Sequence, residues 1–257
     1  MAVTPPKRSA ARVVKRIAPY ALALGVGIYF LSSLFTGKLT KSGANPLVII
    51  GQHDQIYTSH GATADDAKAL GMALRGVGFF NDRGAQVILS KGEGGTVVSF
   101  ASKDGSWDHR ETVLAFEEIG RRIAPALGGF PITVRMMDQT KKTRREIVVG
   151  KIGIFGKDEV YYLGSAKPAE AVAMGRVLIA GLYLNGAGAS VLLSKEAGPG
   201  MGTTISFVVY GDTWKKPEAG PAFEGGVRKV APVVGGLPIT LRLVDTNMAT
   251  LKEEVVN

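Results

Sequence analysis

The sequence predicts an α+β protein in which one module is written twice behind a membrane-spanning helix. Three observations predict this. The stretch from Asp54 to Lys91 returns as Asp158 to Lys195 at a constant offset of about 104 residues, the mark of an internal repeat. Within each copy, apolar residues switch between the helical period and the alternating period of strands. An uncharged apolar run, 17–35, precedes both copies.

The repeat is dense in its first half. Asp54, Tyr57, Ala67, Gly71, Leu74, Asn81, Gly84, Ala85, Val87, Leu89, Ser90 and Lys91 recur as Asp158, Tyr161, Ala171, Gly175, Leu178, Asn185, Gly188, Ala189, Val191, Leu193, Ser194 and Lys195. A loop about three residues longer in the second copy shifts the register, as repeats allow at loops. Beyond it, Phe100, Trp107, Phe116, Pro125, Pro131, Arg135 and Asp138 match Phe207, Trp214, Phe223, Pro232, Pro238, Arg242 and Asp245.

The elements of one copy follow in order. Leu47 to Ile50 and Gln55 to Ser59 read as short strands around the turn Gly51-Gln52-His53-Asp54. Thr63 is placed to cap a helix whose first turn holds Asp65 and Asp66, where the helix dipole favours acids. Ala67, Leu70, Gly71, Leu74 and Val77 or Gly78 share a face of that helix. The mid-helix Gly71 and Gly175 mark a close approach to the sheet. Two strands joined by Gly92-Glu93-Gly94-Gly95 come next. A second helix follows from about Glu111 to Leu127, with Val113, Phe116, Ile119, Ile123 and Leu127 inward. Ile132 to Met137, a turn from Asp138 to Thr143, and Arg145 to Val149 close the copy.

The core order is therefore β-α-β-β-α-β with an added strand at each end. It predicts two tandem ferredoxin-like (βαββαβ) repeats, each an antiparallel sheet with both helices on one face. The order resembles small βαββαβ modules in general, and such a likeness fixes no function. The expected divisions are a basic N-terminus (1–16), the apolar run (17–35), a linker (36–44), repeat 1 (45–149) and repeat 2 (150–257).

The run 17–35 has the length a bilayer-crossing helix needs. It carries Ile17, Leu22, Leu24, Val26, Ile28, Phe30, Leu31, Leu34 and Phe35, with Tyr20 and Tyr29 toward its ends. Five basic residues precede it, so the positive-inside rule places the N-terminus in the cytoplasm and the repeats in the periplasm or outside. No A-x-A cleavage site follows it. The reading is an uncleaved, single-pass anchor in the inner (cytoplasmic) membrane.

Charge and composition exclude several function classes. The formal charge is +9, but seven basic residues and no acid lie in 1–41. Subtracting these seven from 31 leaves 24 basic residues against 22 acids, which is no footprint for nucleic acid. The cluster Lys141, Lys142, Arg144 and Arg145 reads as a solvated hairpin tip. With no Cys, thiol catalysis, disulfides and Cys-ligated metals are excluded.

No chemistry-bearing motif stands out. Gly76-x-Gly78 and Gly92-x-Gly94-Gly95 lack the strand–GxGxxG–helix setting of a phosphate loop. His53, His60 and His109 could ligate a metal or act as bases beside Asp54, Asp65 and Asp66, yet the second copy has Lys157, Gly164 and Lys216 in their places. Asp54, Asp158, Asp138 and Asp245 could pair as acid and base, and turn-forming Asp explains them more simply. Trp107 and Trp214, each before the second helix of its copy, are the candidate partner-binding residues, since Trp is favoured at interfaces.

The expectation is a non-enzyme with no cofactor and no metal site. It would interact with or scaffold other proteins, as an accessory subunit of a larger membrane complex. Its partners would be the lipid bilayer, through the N-terminal run, and another membrane or periplasmic protein. The alternatives are a periplasmic small-ligand-binding or sensory domain with a groove between the copies, and a metal-dependent hydrolase built on His53 and His60.

Overall fold

Residues 46–196 and 202–257 are described by a computed structural model. The apolar run 17–35, with every anchor residue named in it, lies outside them. Among the described residues no helix is long and apolar enough to cross a membrane.

Eleven strands form one sheet in simple chain order. The first repeat supplies β1 (Leu47–Ile50), β2 (Asp54–Ser59), helix α1 (Ala64–Gly76), β3 (Gln86–Gly92), β4 (Gly95–Ala101), helix α2 (Arg110–Ile123) and β5 (Ile132–Met137). Strand β6 (Thr143–Phe155) is shared. The second repeat adds β7 (Asp158–Gly164), α3 (Pro168–Ala180), β8 (Ser190–Lys195), β9 (Thr203–Val208), α4 (Ala219–Val230), β10 (Ile239–Val244) and β11 (Thr250–Val256).

The expected pair of ferredoxin-like repeats is corrected on two counts. In a split βαβ unit another strand lies between the two strands that a helix connects. Here β2 and β3 are direct parallel neighbours, as are β4–β5, β7–β8 and β9–β10, while the remaining pairs are antiparallel. The sheet is mixed. Nor do the repeats form separate sheets. The last strand of repeat 1 runs straight into the first strand of repeat 2, because Gly150-Lys151 stays extended and β6 pairs with β5 on one side and β7 on the other.

That junction decides where the helices go. Along a strand, successive side chains point to opposite faces. Ile147 and Val149 face the core under α1 and α2, while Ile152 and Ile154, after the repeat boundary, pack into the core under α3 and α4. Val149 pairs with Leu163 and Ile152 with Val160 without a shift between them. An odd step of three residues separates the two inward sets, so the two helix pairs lie on opposite faces of one sheet.

Local rules hold in duplicate. Thr63 Oγ1 accepts the Asp66 amide at 3.1 Å and Asp66 accepts the Thr63 amide at 2.9 Å, closing the cap of α1. Lys91 then reaches Asp66 at 2.7 Å, and Lys195 reaches Glu170 at 2.5 Å in the second repeat. Phe79 meets Phe100 edge-on and Phe100 lies tilted on Phe116 in the first core, and Tyr183, Phe207 and Phe223 occupy the same places in the second. The turn before β5 is a cis Phe130–Pro131 bond, and that before β10 a cis Leu237–Pro238 bond. Helix α2 gives way at Ala124–Leu127 to a 3-10 turn, so the expected second helix is shorter than its apolar period.

Candidate functional site

A sheet with helices on opposite faces of its two halves leaves one face of each half open. The second repeat's open face is covered from within the chain. Helix α2 packs one side on its own core and its other side across β7, β8 and the strands beyond. Arg110 donates both terminal nitrogens to Glu253 on β11, at 2.9 and 2.8 Å. Ser194 Oγ on β8 donates to Glu117 at 2.6 Å. The Arg121 guanidinium lies 5.5 Å over the Tyr161 ring, and Phe130 meets the same ring edge-on at 5.7 Å. Arg145 donates to Glu196 at 2.5 Å and to the Trp107 carbonyl at 2.8 Å.

This seam is dry. Tyr161, Leu192, Ser194, Ser206, Arg242 and Val244 are all buried beneath it. Glu117 is buried too, and desolvation pushes its carboxyl up to about 8, with Glu196 adding to the rise while Ser194 and Arg242 oppose it. Burial also pulls the Arg242 guanidinium below its ordinary range, helped by the nearby charge of Arg110 and opposed by Glu253.

The first repeat's open face has no such cover among the described residues. Tyr57, Ile88, Ser90, Val97, Thr133 and Arg135 occupy it, all half-exposed, while Ser99 and Met137 on the same face are buried. They are the counterparts of Tyr161, Leu192, Ser194, Thr204, Thr240 and Arg242. The contrast is clearest at the arginines, whose side chains are 40% exposed at Arg135 and 7% at Arg242. Arg135 pairs with Glu146 at 2.7 Å, as Arg242 approaches Glu253 at 3.6 Å. The strand edge beside the face adds Leu47 and Ile49, 45% and 57% exposed. This is the candidate site.

The tryptophans sit elsewhere. Both are half-buried at the rim of their own cores, Trp107 under Arg144 at 5.6 Å and Trp214 under Lys215 at 5.7 Å. A surface depression of about 490 Å³ opens beside Trp214, lined also by Tyr210, Asp212, Asp245 and Leu251.

The four aspartates hold turns. Asp54 accepts the amides of Asp82, Gly84 and Ala85, and Asp158 those of Gly186, Gly188 and Ala189. Asp138 and Asp245 each bind amides two and four residues on. His53, His60 and His109 are exposed in separate loops, and no group of three metal-ligating side chains gathers among the described residues. Of the basic hairpin cluster, Arg144 turns back to Asp138 and Arg145 into the seam.

Sequence reading missed Glu117, Arg110 and the open face. A signal was present. Tyr57, Ser90, Arg135, Glu146 and their second-copy partners are polar residues in strands, not in turns, so turn geometry does not require them. No protein-family model, no curated protein and no solved structure matches this chain.

Proposed function

We propose that the chain is a membrane-tethered, non-catalytic docking protein whose first-repeat sheet face binds a protein partner on the outer side of the inner membrane. One observation carries this reading. The face presenting Tyr57, Ile88 and Val97 is open, while its counterpart in repeat 2 is sealed by a helix and buried. A half-apolar sheet surface rimmed by Leu47 and Ile49 is the kind of patch that marks an interaction site. The engagement of Asp54, Asp138, Asp158 and Asp245 by turn amides supports a structural role for the recurring acids. The tether rests on the uncharged run 17–35 and its basic flank. Trp214, beside its depression, is a second contact for the same partner, and Trp107, held by Arg144, is an anchor of its loop.

The test is photo-crosslinking in intact membranes with Ile88→p-benzoylphenylalanine. The expected product is a discrete protein adduct, absent when the same group replaces the exposed Met72 on helix α1. Adducts to lipid alone, or equal labelling at both positions, would refute the docking face.

A further inference from the structure

We propose that the partner seated on the open face is a second copy of this chain, and that copies join head to tail by repeating the internal seam. The inference rests on the docking-face reading above and names its occupant. Within one chain, α2 of repeat 1 covers the open face of repeat 2. Helix α4 is the counterpart of α2, and among the described residues no third repeat lies against it. It lies on the same side of the sheet as the first repeat's open face, because both are opposite to α1 and α2. Placing the next copy where a third repeat would stand sets α4 on that copy's open face.

The residues that would meet already exist as pairs inside the chain. Glu117 with Ser194 becomes Glu224 with Ser90 of the next copy. Arg121 over Tyr161 becomes Arg228 over Tyr57. Phe130, with Lys151 at 5.6 Å over its ring, becomes Leu237 against Leu47. The exchange of a cation–ring pair for two leucines keeps the contact complementary, and both leucines stand exposed, at 42% and 45%. Glu117 is 4% exposed, whereas Glu224 is half-exposed and Arg228 is exposed.

The backbone supports the same join. In β6 the segment matching β11 runs into the segment matching β1, and Val148 and Val149 pair with Gly164 and Leu163. Across two copies, Val255 and Val256 would pair with His60 and Ser59. His60 holds the left-handed backbone (φ 49°) that Gly164 holds (φ 67°), and Val255 is 60% exposed. Two ionic links lack counterparts, since Arg110 matches Pro217 and Glu196 matches Gly92. The contact between copies is therefore weaker than the internal seam and reversible. A contact between two different surfaces does not close on itself as a two-fold dimer does, and gives chains or rings.

The full chain in mild detergent tests this by sedimentation equilibrium with the micelle density-matched. Wild type is expected to gain protein mass with concentration in steps of one 27.1 kDa protomer. Tyr57→Glu and Arg228→Glu should each reduce it to monomer, with melting temperatures kept, since both side chains lie outside the cores. Arg228 also donates to the C-terminal Asn257 carbonyl, so Leu237→Glu serves as an independent lesion of the same surface. Mixing Tyr57→Glu with either α4-side variant should restore dimers and nothing larger, because each supplies the surface the other lacks. Association that survives all three variants, or a mixture that stays monomeric, would overturn the proposal. A monomeric wild type whose position 88 still crosslinks to another protein refutes self-assembly and leaves the docking face standing. If that crosslink also fails, both fall.

Discussion

The ring of Tyr162 occupies the space over Gly150, so that a Cβ on Gly150 would lie 1.9 Å from the ring carbon bearing the hydroxyl. Gly150 is the residue at which repeat 1 becomes repeat 2. Its missing side chain lets the ring lie across the shared strand while the strand stays extended. Glycine within a strand often marks such an approach. Gly150→Ala is expected to cost about 1–3 kcal/mol through overpacking. Tyr162→Ala should make the same substitution nearly neutral, and denaturant melts of the four-member cycle would show that non-additivity. Additive costs would mean that the ring and the glycine do not constrain one another.

The mid-helix glycines give a matched pair of tests. A Cβ at Gly71 would meet the Ile50 side chain at 2.3 Å, and one at Gly175 would meet Ile154 at 2.8 Å. The close approach is to a sheet side chain at equivalent points of both repeats. Gly71→Leu and Gly175→Leu should each lower the melting temperature, with Gly71 the more sensitive. Ile50→Ala should recover part of the loss in the first and nothing in the second. Wild-type melting in both variants would show that the helices sit farther from the sheet.

Much of this architecture could be read before any coordinates. The Gly71/Gly175 match, the Thr63 cap and the hairpin glycines fixed elements and their repeat. Connectivity was misread because βαββαβ order is shared by split and unsplit arrangements, and local periodicity does not say whether a helix returns its strand to the adjacent place or skips one. The opposite helix faces were legible in principle. Ile147 and Val149 alternate in odd positions, Ile152 and Ile154 in even ones, and only Gly150-Lys151 stands between them. The change of parity falls at the repeat boundary, 149/150. The seam was not legible, since Arg110 and Glu253 lie 143 residues apart and their meeting depends on the faces chosen.

Asp54 and Asp158 test whether the repeats carry load equally. Each buried carboxylate gathers three amides from the loop before the following strand. Burial pushes the Asp158 carboxyl up, but the amides of Gly186, Ala189 and Gly188 overcome this and hold it below the usual range. Asp→Ala strands those donors, at a cost of about 1–3 kcal/mol for each amide left without water. Either substitution should destabilise strongly, and Asp→Asn should recover part of the loss. A silent Asp158→Ala in urea melts would show that solvent replaces the carboxylate there.

Glu117 makes the seam sensitive to pH. Its carboxyl titrates near 8 in the folded chain against an ordinary value of 4.5, because burial under α2 penalises the charge. The folded state therefore binds a proton that the unfolded state has released throughout that window. Stability contributed by neutral Glu117 is fully present below about 4.5, falls as pH rises, and is lost above about 8. Glu117→Gln keeps an oxygen to accept from Ser194 and removes the titration. The variant should match wild type near pH 5 and exceed it at pH 8.5, by an amount on the order of 3 kcal/mol. Parallel urea melts of wild type and variant across pH 5–9 measure the difference directly. Because Arg110 and Ser194 join α2 to the second repeat, the wild-type loss should also appear as protection factors of amides in β8 and β9, taken relative to intrinsic base-catalysed exchange, that fall at high pH in wild type and hold in the variant. A constant stability difference across that range would show that Glu117 carries its charge in the folded seam and that Arg242 balances it.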